Sequence, residues 1–313
     1  MDDRKYIIDT DVGDDIDDAI ALYSAMMRGF DILGVTTVFR NSKDRARQIK
    51  RLVKSFGKGY ENTPVYAGYG DPYGTEQTEY PLIPHHTGDM DEARYAPDNK
   101  APEEAIDFII DSCKKYGDKL TIIAIGPFTN IAKAVEKDPH AVNMAERVVI
   151  MGGAYFKQYA DWNVMCDVEA ADIMFKGLKN LKCIGADVTH LMEGEERLYN
   201  LIRNYNGDNQ GRKYLAELFD LWIKDRPNSK FLLHDPLVIY YAEDETICQT
   251  KDAAIAVITD GFAKGMTLNV KAYGKKWLNK SAYVGFDMAH TATVARTATR
   301  NEFNKRILED YLD

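Results

Sequence analysis

The 313-residue chain is poor in cysteine, tryptophan and proline, with four, three and ten of each. Cys113, Cys166, Cys183 and Cys248 show no paired spacing, which argues against a disulfide framework and reads as reduced thiols in a cytoplasmic protein. No apolar run approaches the ~20 residues that a bilayer-spanning helix needs. The amino terminus, MDDRKYIID, runs straight into a strand-like segment and does not read as a secretory leader. Positive charge is in deficit as well: 40 Lys and Arg face 49 Asp and Glu, a net charge of −9, which argues against nucleic acid or an anionic membrane as partner. Internal repeats, low-complexity tracts and Pro/Ser-rich linkers are missing, so residues 1–313 read as one domain. With 45% hydrophobic residues, it has the means to bury a large core.

What the chain has in excess is acid at one place. In Asp9–Leu22, DTDVGDDIDDAIAL, six of the first ten residues are carboxylates: Asp9, Asp11, Asp14, Asp15, Asp17 and Asp18. Tyr6–Ile7–Ile8 reads as the end of a buried strand and Ala19–Met27 as a helix, so the acids occupy a tight strand-to-helix turn eased by Gly13. Two unit charges ~4 Å apart cost about 4 kcal/mol at an effective dielectric near 20. A turn this acidic needs open water or a cation, and two aspartates leaving a buried strand favour the cation. Hard oxygen ligands point to Ca²⁺ or Mg²⁺.

Apolar runs at Tyr6–Ile8, Ile32–Val38, Leu120–Ile125, Val148–Met151 and Leu181–Ile184 alternate with helical patterns such as Arg45–Phe56 and Pro102–Tyr116. That alternation predicts an α/β fold, a mainly parallel open sheet flanked by helices, with a more helical carboxy-terminal part after Asp187. In such sheets ligands bind beyond the carboxyl ends of the strands. The unusual residues collect there: Asp11, Asn41, Gly126–Pro127, Gly152–Gly153 and Asp187–His190 each follow a strand. Residues 69–100 read as a mobile loop near the cleft and carry His85 and His86. His234–Asp235–Pro236 follows an apolar run, with a helix expected to begin near Pro236. Ala253–Thr259 and Gly265–Ala272 read as a strand pair and Asn301–Leu312 as a terminal helix.

Eight blocks in order resemble the nucleoside hydrolases of the inosine-uridine preferring family: DTDVGDDIDDAIAL, VTTVFRN, PVYAG, AIGPFTNIA, VVIMGG, DWNVMCDVEAA, DVTH and HDPL. The resemblance implies Ca²⁺-dependent hydrolysis of the N-glycosidic bond of a nucleoside, in a homodimer or homotetramer serving purine or pyrimidine salvage. By that resemblance Asp11 is both metal ligand and base toward the attacking water. Asp18, Asp235 and the main-chain carbonyl of Ile125 are further ligands, with Asp15 a competitor, and Asp9 braces the site from behind. Asp17, Asn41, Asp161 and Asn163 would hold the sugar, joined by Met151. His234, with an unperturbed pKa near 6.5, would assist the leaving base, and His85, His86 and Trp222 are candidates to contact it. The chain departs from the family pattern at Val12, where proline is commoner, and at Asp161, where glutamate is usual. Three residues, Asp14, Asp15 and Ile16, separate Gly13 from Asp17 where many members have one. One ribose-binding asparagine has no counterpart, Gln158 being the nearest amide.

Two rival readings remain at this stage. Asp9–Thr10–Asp11 after a strand mimics the nucleophile motif of Mg²⁺-dependent haloacid dehalogenase-type phosphohydrolases, although Gly13 stands where that motif wants Thr or Val. The altered sugar-side residues suggest the other rival, a calcium-dependent nucleoside- or sugar-binding protein on a decayed hydrolase frame.

Overall fold

The computed structural model describes residues 3–73, 94–270 and 290–312. His85 and His86 therefore lie outside the described residues, as does most of the 69–100 loop.

Among the described residues nine strands form one sheet: β1 (Lys5–Thr10), β2 (Ile32–Thr37), β3 (Val65–Ala67), β4 (Leu120–Ala124), β5 (Arg147–Met151), β6 (Leu181–Ile184), β7 (Cys248–Val257), β8 (Thr267–Asn269) and β9 (His290–Ala298). Their order is β3-β2-β1-β4-β5-β6-β9-β7-β8. All pairings from β3 across to β9 are parallel, whereas β7 runs antiparallel to both β8 and β9. The long apolar runs are explained by burial on both faces. Ile8, Ile123 and Val149 point into one core cluster, while their neighbours Ile7, Ile122 and Val148 point into the other. Burying each such side chain stabilises the fold by about 1.5–3 kcal/mol.

Helices Asp17–Met27, Ser42–Phe56, Gln210–Asp225 and His234–Glu243 line the first cluster. Helices Pro102–Tyr116, Thr129–Lys137 and Val168–Gly177 line the second. Pro102–Tyr116 begins with its proline in the first turn and ends at Gly117, whose φ of 51° lies in the left-handed region. The helix expected from Pro236 starts two residues earlier, at His234, which places both His234 and Asp235 in its first turn. Of the expected carboxy-terminal strand pair, β7 begins five residues earlier, at Cys248, whereas β8 spans only Thr267–Asn269; β9, not expected as a strand, joins β7 to the parallel sheet. Among the described residues no helix is long and apolar enough to cross a membrane.

Candidate active site

The site begins at the carboxyl end of β1. The period of two along this strand sends successive polar residues to opposite faces. Thr10 turns toward helix Asp17–Met27, where its Oγ1 donates to Asp18 Oδ1 at 2.5 Å. Asp9 turns toward the other face, where its Oδ1 accepts from Asn130 Nδ2 at 2.7 Å and from the Thr36 hydroxyl. Asp9 is fully buried and does not line the cavity; burial raises its carboxyl to about 7. A side chain so enclosed and so bonded offers no path for a phosphate to reach it, against a phosphoaspartyl role.

The acidic turn that follows is held by one cation. Arg45 is wholly buried, and its guanidinium donates to the carbonyls of Phe39 at 2.8 Å and Val12 at 2.9 Å, to that of Asp11, and to Asp14 Oδ1 at 2.9 Å. Gly13 has φ 107°, a conformation other residues rarely adopt. Across the turn, a Cβ on Gly126 would come within 2.8 Å of the Asp11 amide nitrogen. The backbone after β4 therefore closes directly onto the turn after β1.

Helix Asp17–Met27 packs against helix His234–Glu243 with their first turns together. One oxygen of Asp17, Oδ2, accepts from the backbone N–H groups of His234 and Asp235 at 3.1 and 3.2 Å. The carboxylates of Asp17, Asp18 and Asp235, all buried, each offer an oxygen within 4.8 Å of the others. Burial, reinforced by the neighbouring acids, pushes Asp18 and Asp235 well above the usual carboxylate range, with Asp11 contributing to both. Asp17 rises to about 6 through burial. Asp11 rises to about 8 through burial, against the pull of Arg45. Buried like charges at this spacing call for a positive ion, and an all-oxygen donor set fits a hard divalent cation.

These acids form the floor of a cavity of about 470 Å³. Asp15 stands at its rim, 3.6 Å from Arg226, with its carboxyl raised to about 7 by burial. Ile125, Met151, Asp161 and Asn163 form one wall. Asn163 Nδ2 donates to the carbonyls of Ile125 at 2.8 Å and Met151 at 3.1 Å, tying the ends of β4 and β5. Asp161 caps the helix Trp162–Cys166 through Val164 N–H at 3.3 Å; burial raises it to about 6 despite several backbone donors.

Tyr159, Trp162, His190, Arg226 and His234 stand around the rest of the cavity, with Arg40. His234 Nδ1 lies 2.6 Å from Thr189 Oγ1. Its ring meets that of His190 edge-on, centroids 5.1 Å apart, and His190 Nδ1 lies 3.0 Å from the Tyr159 hydroxyl. Burial, then the neighbouring His190, lowers His234 to about 4, so the ordinary value expected from sequence does not hold.

Asp11, Asp15, Asp17, Asp18, Ile125, Met151, Asp161, Asn163, His234 and Asp235 thus all line one cavity. Asn41 does not; it precedes helix Ser42–Phe56 as its N-cap. Phe39 and Arg40 just before it have φ of 68° and 55°, which turns the chain so that Arg40 reaches the cavity wall. Trp222 is 2% exposed and packs with Phe219 and Phe231 in the core, away from the cavity. Aromatics that do line the cavity are Tyr159 and Trp162, the latter 55% exposed. Arg45, Tyr159, Thr189 and His190 were not singled out from sequence; only the DVTH block, which holds Thr189 and His190, hinted at two of them.

Residues 6–305 match the family described as inosine-uridine preferring nucleoside hydrolase. The chain is 30% identical over 279 residues to the inosine-uridine preferring nucleoside hydrolase of Leishmania major, covering 85% of this chain and 87% of that one. It is 26% identical over 295 residues to uridine nucleosidase 1 of Arabidopsis thaliana, covering 90% and 86%. Among solved structures, the plant nucleoside hydrolase PpNRh1 superposes with a TM-score of 0.83 at 26% identity, over 98% of each chain. Sequence and fold agree, and the chain belongs to the inosine-uridine preferring nucleoside hydrolase family, enzymes that act on the N-glycosidic bonds of nucleosides.

Proposed function

We propose that this protein hydrolyses the N-glycosidic bond of ribonucleosides with Ca²⁺ held by Asp11, Asp18, Asp235 and the carbonyl of Ile125, joined by Asp17, which was expected at the sugar but whose carboxylate stands beside those of Asp18 and Asp235. The observation that carries this reading is the group of three buried carboxylates within 4.8 Å at the floor of a substrate-sized cavity. When bound, the ion supplies positive charge that lowers the proton affinity of a water and orients vicinal hydroxyls.

The chain's own residues do the rest. Asp11, raised by burial, would be ionised beside such a charge and would take a proton from the attacking water. As the water oxygen bonds to C1′, the C1′–N bond breaks and its electron pair passes to the base. Asp161 and the Oδ1 of Asn163 would offer sugar hydroxyls fixed acceptors, with Met151 beneath. His234, neutral because it is buried, assists as a hydrogen-bond donor to the departing base, in the manner of other neutral electrophilic histidines. Asp9 contributes through the strand, holding the end of β1 by its bonds to Thr36 and Asn130. The names of the relatives make uridine and inosine the first substrates to try. We further assign the protein to the cytoplasm, to nucleoside salvage, and to a homodimer or homotetramer.

Asp11→Asn tests this assignment. It is expected to lower kcat by roughly 10²–10⁴-fold while nucleoside affinity, read by calorimetry, stays near that of the wild type. An Asp11→Asn protein with unimpaired turnover would remove the base from the scheme.

A further inference from the structure

Thr189 is fully buried at the end of the short helix Ala186–Thr189, immediately after β6, and its backbone is fixed by a 3.0 Å bond from its N–H to the Gly185 carbonyl. Its Oγ1 lies 2.6 Å from His234 Nδ1, which leaves Nε2 as the nitrogen open to a ligand in the cavity. The adjacent His190 packs edge-on against the same ring at 77° and is itself tethered to the Tyr159 hydroxyl. One turn thus bonds the imidazole at one nitrogen and restricts its rotation. A neutral imidazole carries a single ring proton, and the partner of one nitrogen decides which nitrogen holds it. A hydroxyl that donates to Nδ1 leaves the proton on Nε2.

We propose that Thr189 is a positioning residue for hydrolysis: its hydroxyl donates to His234 Nδ1, fixes the Nε2–H tautomer and aims that proton at the leaving base. The inference rests on the reading of His234 as the group that assists the base. As the C1′–N bond breaks, the electron pair moves onto the base, and the Nε2–H bond stabilises it until the base is protonated from solvent. A ring with the other tautomer would present a bare nitrogen to that lone pair and repel it.

The test compares the near-isosteric Thr189→Val with Thr189→Ser on uridine and inosine, and on 4-nitrophenyl β-D-ribofuranoside, whose leaving phenolate needs no donor. Thr189→Val is expected to lower kcat on the nucleosides about tenfold or more with KM little changed, and to cost less than about threefold on the nitrophenyl riboside. Thr189→Ser should recover most of the loss. Equal losses on both kinds of substrate, or failure of serine to rescue, would overturn the proposal. Full activity of Thr189→Val on nucleosides, with His234→Ala impaired, would overturn it while sparing the role of His234. Full activity of His234→Ala would remove both. A readout independent of turnover is the ¹⁵N spectrum of histidine-labelled protein, with His234 identified by its loss in His234→Gln. The wild type should show the Nε2–H tautomer and Thr189→Val a mixture; an Nδ1–H ring in the wild type would contradict the assignment.

Discussion

Arg45 carries more of the site's geometry than any acid it supports. Its guanidinium binds the carbonyls on both sides of the cleft entrance, Phe39 after β2 and Val12 after β1, and neutralises Asp14 between them. Removing one partner of a buried ion pair leaves the other charge uncompensated, at a cost of about 3–5 kcal/mol. Arg45→Met should therefore lose about 3 kcal/mol of stability, read as a lower denaturant midpoint at unchanged slope. A loss under about 1 kcal/mol would mean that the turn is held by other contacts. Arg45 was not legible in the sequence because it lies in the first turn of a helix whose other charged residues look solvated. Asn41 and Arg40 illustrate a second blind spot. The left-handed backbone at Phe39 and Arg40 decides which side chain reaches the cavity, and neither residue type advertises that conformation. The aspartates were legible because six carboxylates on one turn admit few bland explanations.

At the level of elements, the site is a joint between two helices. Asp17 and Asp18 open helix Asp17–Met27, and Asp235 lies in the first turn of helix His234–Glu243. The proposed cation, shared by all three, would clamp the helix pair and link metal affinity to stability. The sign follows from the raised carboxyls. In the unfolded chain these acids ionise near 3.8, whereas in the ion-free fold Asp17 does so near 6 and Asp11 near 8. The fold then holds more protons than the unfolded chain across that window, and its stability falls as pH rises from about 4 to about 8. The proposed calcium ion would take the ionised set, so the rise in Tm on adding it should be small at about pH 5 and larger at about pH 8. Equal increments at both would separate the ion from these carboxylates. The strand and helix limits on the parallel side were readable from periodicity to within a few residues, except for the three-residue β3, which no apolar run marked. His290–Ala298 was not, because its buried positions Ala292, Val294 and Ala295 are small and break the alternation that marks a strand.

For the whole molecule, the sheet order explains why separated motifs converge. β2, β1, β4, β5 and β6 are parallel neighbours, so the segments that leave their carboxyl ends meet along one edge. Arg40, Asp11, Ile125, Met151 and Ala186 reach the cavity from these five strand ends in turn. Rules about open α/β sheets placed the cleft from sequence alone. What they did not place is the wall formed by Tyr159, Trp162 and Arg226, whose positions depend on loops and on helix packing rather than on strand order. The measurement that tests the central claim most directly is release of reducing sugar from uridine and inosine, with calcium and with excess EDTA. Release that depends on calcium and is restored by adding it back is the predicted result; release of the same rate in EDTA would contradict a catalytic cation at Asp17, Asp18 and Asp235.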